Sequence, residues 1–167
     1  MRMCNFIARE ALVPALSVVA PAERTTASVC AVKEAVIREM VGALHAAGHL
    51  QAADVDGVVH AVLRREGVGT TGIGRHIAIP HSRHAAVNHL IGTLALAPAG
   101  LPFDSLDGED VYVLVLLVSP QDRPGDHLRA LEVVVRAMRN DEFVAKLRGC
   151  TTADQIWELL ESVGPGW

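Results

Sequence analysis

The sequence has few cysteines, and they are far apart. Cys4, Cys30 and Cys150 are the three cysteines in a chain of 167 residues. An odd number of scattered cysteines excludes a dense disulfide framework and is typical of reduced thiols. We therefore expect a cytoplasmic protein in which each cysteine has an ordinary packing or surface role.

Long hydrophobic runs are also absent. Half of the residues are hydrophobic and the mean hydropathy is +0.29, yet no run of about 18 uncharged apolar residues occurs, so no helix is expected to insert into a membrane. Segment 12–22 has the apolar character of a signal peptide. The preceding Arg9 and Glu10, and the prolines at 14 and 21, argue against that interpretation.

The charge balance lacks a strong excess of either sign. The chain has 15 Lys and Arg against 19 Asp and Glu, a formal net charge of -4 and a pI near 6.0. This balance gives no reason to expect nucleic acid as a partner. The length suits one domain, so we expect residues 1–167 to form a single domain with a core over about 15–163 and short flexible ends.

The patterns at the start of the chain are weak. The first dozen residues have little periodicity and indicate a mobile tail or a lead into a strand. Segment 15–20 is apolar and short, and Pro21 follows it. This combination predicts a short β-strand over 15–20.

Two amphipathic helices are predicted next. From about Ser28 apolar residues recur every three or four positions, with Thr26 or Ser28 as the cap and Gly48 at the end. A second helix is predicted from about Asp54 to Glu66, before a glycine-rich stop.

The second half of the chain predicts two strands followed by helices. Segment 90–97 is apolar and is followed by a predicted loop over 98–102. Segment 111–118 is β-branched and apolar on both faces, which is typical of a central strand covered by helices on both sides. Helices are then predicted from near Asp126, from Asn140 or Asp141 to Gly149, and after the capping box Thr152–Gln155.

This alternation predicts the fold class. Strands that alternate with helices favour an α/β fold. We expect a single-domain α/β sandwich, with a mixed and mostly buried β-sheet of about five strands that is flanked by helices on both faces.

The segment 72–83 carries the most specific chemistry. Gly72 and Gly74 allow a tight turn and leave room for a bulky anionic group. An apolar strand over 77–79 should end at Pro80, which lacks a backbone N–H. His81 would then stand half exposed at the strand end, where one ring nitrogen can attack while a hydrogen bond holds the other.

These residues resemble a known family. Thr71–Gly74 followed by Ile77–His81 is similar to the signature of EIIA domains of the fructose/mannitol class in the phosphoenolpyruvate-dependent phosphotransferase system, a class that includes nitrogen-regulatory EIIA proteins. The resemblance extends from about Ala31 to Leu160. It implies that His81 accepts a phosphoryl group from an HPr-type phosphocarrier protein and passes it on as a phosphohistidine, without a metal or another cofactor.

The resemblance also implies supporting residues. His127, at the start of a helix and followed by a leucine, matches a second family histidine that supports the transfer. Arg65 matches an arginine that lies near the phosphoryl group, where its guanidinium can bind two oxygens. Arg83 is a candidate second cation. Gly72 and Gly74 are candidate phosphoryl-binding positions.

The sequence leaves the biological role open between two possibilities. The protein either donates to an EIIB-type acceptor in sugar uptake, or its phosphorylation state regulates another protein by binding. No EIIB domain or membrane span occurs in the chain, which slightly favours the regulator. Arg75–His76 stands where family members commonly carry Asn-Gly, and a side chain at 76 would narrow the approach to the pocket or add another proton-binding group near it.

Clustered histidines offer a different interpretation. His76, His81, His84 and His89 lie within a few residues, which suggests a non-enzymatic metal-binding module. The spacing fits poorly, because His76 and His81 would point to opposite faces of a strand. No cysteine pair or carboxylate joins them in a recognised ligand spacing.

Overall fold

The computed structural model describes residues 1–163. It confirms an α/β domain with one mixed five-stranded sheet and helices on both faces. The five helices are Thr26–Ala46 (α1), Val55–Val68 (α2), Pro124–Met138 (α3), Asp141–Arg148 (α4) and Ala153–Ser162 (α5). The five strands are Gly72–Gly74 (β1), Ile77–Ala78 (β2), His81–Arg83 (β3), Ile91–Leu101 (β4) and Val111–Ser119 (β5). The predicted flexible C-terminal residues 164–167 lie outside the described part of the chain.

β5 is the strand on which the sheet is built. It pairs with β4 in an antiparallel arrangement along one edge. Along its other edge it pairs in parallel with β2 and then with β3, and β1 pairs antiparallel with β2. All of β5 except Tyr112 is buried, as predicted for a central strand.

The side chains of β5 alternate between two hydrophobic clusters. Leu114, Leu116 and Val118 pack with α1 and α2. Val113, Val115 and Leu117 pack with α3, α4 and α5. This period of two explains why the strand is apolar at every position, because each face of the sheet carries a helical layer.

The predicted helices are confirmed, with small shifts at their ends. α1 begins two residues before the predicted start, because Thr25 is its N-cap and forms a reciprocal capping box with Ser28. The predicted capping box Thr152–Gln155 is present at the start of α5. None of the helices in the described chain is long and apolar enough to cross a membrane.

The prediction for the N-terminal segment is wrong. Residues 1–12 contain two short 3-10 turns and bury Met3, Phe6 and Ile7, so they are neither a mobile tail nor a strand. Residues 15–20 form no strand either. The chain instead follows the outer edge of β4 through isolated bridges, such as Val13 to Ala95. Such single contacts leave no periodic pattern in the sequence.

The predicted loop over 98–102 is also wrong in part. β4 continues to Leu101, with an irregular register between Leu96 and Leu101. A bulge of this kind accommodates Pro98 at the edge of the pairing. The strand therefore continues through residues that usually end one.

A substitution at Gly92 tests how closely β4 and β5 pack. A Cβ at Gly92 would lie 2.6 Å from the carbonyl oxygen of Leu116 and 2.9 Å from Leu117 Cδ2. We expect Gly92→Ala to lower the free energy of unfolding by about 1–3 kcal/mol, because β4 and β5 must separate to admit the methyl group. Urea unfolding followed by circular dichroism measures this difference.

Gly42→Ala is the matched control. Gly42 lies inside α1, and an added Cβ there would meet no heavy atom within 4 Å. This variant should be more stable than the wild type by about 0.5–1 kcal/mol, because alanine is the better helix former. Equal effects of the two substitutions would contradict the packing at Gly92.

Candidate functional site

Pro80 places His81 at the start of β3. The strand ends before Pro80, as predicted, because β2 ends at Ala78. The chain then pairs with the same edge of β5 again, where His81 lies opposite Leu117. The carbonyl of Pro80 accepts from the backbone N–H of Leu117. His81 thus lies opposite Leu117, which belongs to the face covered by α3.

Four of the predicted site residues line one cavity. Its volume is about 570 Å³. The ring centroids of His81 and His127 are 5.3 Å apart. The complete lining comprises Arg65, His81, Ser82, Arg83, Gln121, His127, Leu128 and Leu131. Because α2 and α3 belong to opposite faces of the sheet, the cavity lies where the two helical layers meet at its edge.

The hydrogen bond of His81 determines which ring nitrogen is nucleophilic. Nδ1 lies 2.7 Å from the carbonyl oxygen of Ile79. A carbonyl only accepts, so Nδ1 carries the proton and the lone pair of the neutral ring is on Nε2. Burial lowers the pKa of His81; the bond to Ile79 opposes this shift, and the charge of Arg65 adds to it. The ring is therefore neutral at neutral pH.

His127 is held by the end of the central strand. It is buried in α3, and its Nδ1 lies within hydrogen-bonding distance of the Ser119 hydroxyl. Burial, followed by the charges of His81 and Arg83, lowers the pKa of His127 to about 4. When Ser119 donates to Nδ1, the neutral ring keeps its proton on Nε2 and can donate to an anion in the cavity.

Two guanidinium groups complete the site. Arg65 lies near the end of α2, and its Nη1 donates to the Gly69 carbonyl at 2.8 Å. Arg83 is exposed on β3, two residues after His81 and thus on the same side of the strand. The first turns of α3, which carry His127, add the positive end of a helix dipole. The cavity is therefore suited to a phosphoryl group.

The glycines predicted to bind the phosphoryl group do not line this cavity. A Cβ at Gly72 would lie 2.6 Å from Ser105 Oγ and 2.9 Å from Ser105 Cα. Gly74 has a φ of +92° and faces Asp107. Both glycines therefore serve the close packing and the turn of β1, and their role in phosphoryl binding stays a prediction.

The prediction that the side chain at 76 narrows the approach to the pocket is wrong. His76 does not line the cavity; its Nδ1 lies 2.8 Å from the Asp110 carbonyl oxygen, and its ring packs edge-on against Tyr112. Arg75 pairs with Asp141 at the start of α4. The two residues thus connect the β1–β2 turn to other parts of the domain.

The clustered histidines take separate partners. His84 Nδ1 accepts from the Ala86 backbone N–H, and His89 Nδ1 contacts the side chain of Asn88. Within residues 1–163, no three His, Cys, Asp or Glu side chains are grouped so that they could hold a metal ion. The geometry therefore gives no support to the metal-binding alternative.

Four residues in or near the site have weak sequence signals. Ser119 ends the central strand and Gln121 lies just after it, but the sequence does not show the path of the loop that leads from them to His127. The buried pair of Lys33 and Glu66 has one signal, since Lys33 occupies a position of the apolar stripe of α1. A charge at such a position requires a buried partner, but the stripe does not identify it.

Comparison with known proteins identifies the family. Residues 22–163 match the family described as "Phosphoenolpyruvate-dependent sugar phosphotransferase system, EIIA 2". The chain belongs to this family. EIIA domains of this system are phosphotransferases, which agrees with a cavity that places two neutral imidazoles beside two guanidinium groups.

Relatives of this EIIA chain include regulatory and transport proteins. It is 29% identical over 160 residues to a nitrogen regulatory protein from Bradyrhizobium diazoefficiens, covering 96% of this chain and 95% of the relative. Nitrogen regulatory protein IIA-Ntr from Neisseria meningitidis has a similar structure, with a TM-score of 0.76, 24% identity and coverage of 93% and 97%. The Escherichia coli complex of enzyme IIAMtl and phosphorylated enzyme IIBMtl gives a TM-score of 0.67, 18% identity and coverage of 92% and 96%.

The lowered pKa of His127 predicts a pH-dependent stability. The folded ring is protonated only near pH 4, whereas an unfolded histidine is protonated near 6.5. The unfolded chain therefore binds more protons in this interval, and the stabilisation present above pH 6.5 is lost as the pH falls towards 4. Between pH 7 and pH 5 the wild type should therefore lose more stability than His127→Gln, by about 2 kcal/mol.

Urea unfolding at the two pH values measures this difference. His60→Gln is the control, because it makes the same substitution at an exposed residue of α2 that does not line the cavity. An identical loss of stability in wild type and His127→Gln would contradict the buried, neutral state of His127.

Proposed function

We propose that this EIIA chain accepts a phosphoryl group from an HPr-type phosphocarrier protein on Nε2 of His81. The observation that carries the proposal is the neutral His81 ring, whose Nδ1 is bonded to Ile79 while Nε2 is left to attack within a cationic cavity. Family membership supports the same class of reaction.

The transfer requires no change in the proton of His81. The Nε2 lone pair forms the new bond to phosphorus while the bond from phosphorus to the donor nitrogen breaks, and the donor nitrogen keeps that electron pair. The Nδ1 proton stays on its bond to the Ile79 carbonyl. The phosphorylated ring is therefore a cationic imidazolium that can release the group to the next acceptor.

The surrounding residues stabilise the charge of the transferring group. Arg65 and Arg83 supply guanidinium groups, and His127 supplies an Nε2–H donor from the start of α3. Such transfers depend mainly on positioning and electrostatics. These side chains provide both functions, so the proposed step needs no metal.

The phosphorylated protein has two candidate roles in the cytoplasm. It passes the group to an EIIB-type acceptor, as the structural similarity to the mannitol IIA in complex with its IIB suggests. Alternatively, the phosphohistidine is a signal that another protein reads, which agrees with the coverage of the nitrogen regulatory relative over almost its whole length. Added negative charge at an exposed site is sufficient to change docking.

Phosphorylation by the reconstituted system tests the proposal. The protein is incubated with phosphoenolpyruvate, the first enzyme of the system and HPr, and the added mass is located by mass spectrometry. We expect one acid-labile phosphoryl group on His81, because only this imidazole combines a free Nε2 with the cationic cavity. His81→Ala should abolish it.

His84→Ala is the matched control, since His84 lies just after β3 but does not line the cavity. It should be phosphorylated like the wild type. A phosphoryl group that persists in His81→Ala, or an unmodified wild type, would contradict the proposal.

A transfer assay distinguishes the two roles. The protein labelled on His81 is mixed with an EIIB protein, and the label is followed on a gel. If the protein is a relay, most of the label moves to EIIB within minutes, because the bond from nitrogen to phosphorus is easily transferred. A label that remains on the protein, together with binding to a regulated protein that changes on phosphorylation, indicates the regulatory role.

A further inference from the structure

A buried ion pair lies beneath the cavity without lining it. Lys33 of α1 and Glu66 of α2 have side chains that are 10% and 3% exposed, and Lys33 Nζ lies 2.9 Å from Glu66 Oε2. Lys33 also lies 3.5 Å from Asp104, but that carboxylate is largely exposed. Glu66 is adjacent in sequence to Arg65, which does line the cavity.

The Glu66 carboxylate holds the backbone that orients His81. Its Oε2 accepts from the backbone N–H of Thr71 at 2.9 Å, and its Oε1 accepts from the Thr71 hydroxyl. The Thr71 carbonyl accepts from the backbone N–H of Ile79 at 3.0 Å. The carbonyl of Ile79 accepts in turn from His81 Nδ1. A continuous series of hydrogen bonds therefore joins the carboxylate to the imidazole.

We propose that Glu66, with its charge balanced by Lys33, is a positioning residue that fixes the Nδ1–H tautomer of His81 through Thr71 and Ile79. This inference rests on the proposed phosphorylation of His81. Glu66 does not touch the reacting atoms. It acts by keeping the Ile79 carbonyl aimed at Nδ1, so that the lone pair remains on Nε2.

The buried Lys33–Glu66 pair is better suited to positioning Thr71 than to stabilising the fold alone. Buried ion pairs are commonly no more stabilising than apolar side chains of similar size, because both charges lose their hydration. A carboxylate, however, offers two oxygens that can hold the N–H and the hydroxyl of one residue at once. Thr71 is the residue that donates both bonds, and its own carbonyl accepts from the backbone N–H of Ile79, between β2 and β3.

Two double variants separate the hydrogen bonds from the charges. Lys33→Met with Glu66→Gln removes both charges but keeps an amide, whose oxygen accepts from the Thr71 N–H while its NH₂ donates to the Thr71 hydroxyl. Lys33→Met with Glu66→Met removes the charges and also the bonds to Thr71. The variants have similar volume, and neither leaves an unpaired buried charge.

The first readout is the tautomer of His81, measured from the ring nitrogen shifts by NMR. We expect the wild type and the glutamine double variant to keep Nδ1 protonated. The methionine double variant should show a mixture with the Nε2–H form, because the Ile79 carbonyl is no longer fixed. This measurement does not depend on any phosphoryl donor.

The second readout is the rate of phosphorylation by phosphorylated HPr. The saturating rate should fall about 10- to 100-fold in the methionine double variant, as expected for a misplaced reacting group. It should stay within about threefold of the wild type in the glutamine double variant. The HPr concentration at half-maximal rate should be unchanged in both, since Lys33 and Glu66 are buried.

Arg38→Met with Asp56→Asn is the matched control. These residues form an exposed ion pair at 2.7 Å between the same two helices, and its loss should change neither readout. Equal tautomers and rates in the two Lys33 and Glu66 double variants, with both proteins folded by circular dichroism, would overturn the inference. An unphosphorylated wild type would instead overturn the proposed function, and the tautomer measurement would still decide the role of Glu66.

Discussion

One hydrogen bond determines the chemistry of this site. The Ile79 carbonyl accepts from His81 Nδ1 at 2.7 Å, and the nucleophilic lone pair is thereby left on Nε2. That bond depends on the break in strand pairing at Pro80. Because Pro80 cannot donate to a neighbouring strand, β2 ends before it and the chain pairs with β5 again from His81. The imidazole then lies beside the carbonyl of Ile79, the residue before the proline.

The rest of the domain keeps this segment in place. β5 fixes His81 through the register with Leu117, and it ends at Ser119, which holds the second imidazole. On the other side, Glu66 fixes Thr71 and therefore the peptide of Ile79. The two imidazoles are thus held by separate parts of the fold, so their 5.3 Å separation depends on the whole sheet.

How well the sequence predicts a feature of this structure depends on how far apart in the sequence the interacting residues lie. The helices and β5 follow from local periodicity, whereas the prediction that His81, His127, Arg65 and Arg83 belong to one site comes from the family resemblance. The N-terminal edge segment could not be predicted, because single bridges to β4 have no period. Glycine indicates close approach, but the sequence does not reveal that the neighbour of Gly72 is Ser105 and that of Gly74 is Asp107.

The cavity is assembled from both helical layers, and this has a consequence for biosynthesis. Arg65 comes from the layer formed early in the chain, and His127 from the layer formed after β5. A nascent chain that has emerged only as far as β4 contains His81 but lacks the lining residues that follow β5, which include Gln121 and His127. The proposed phosphorylation of His81 therefore requires that α3 has already been synthesised, because His127 is absent until then.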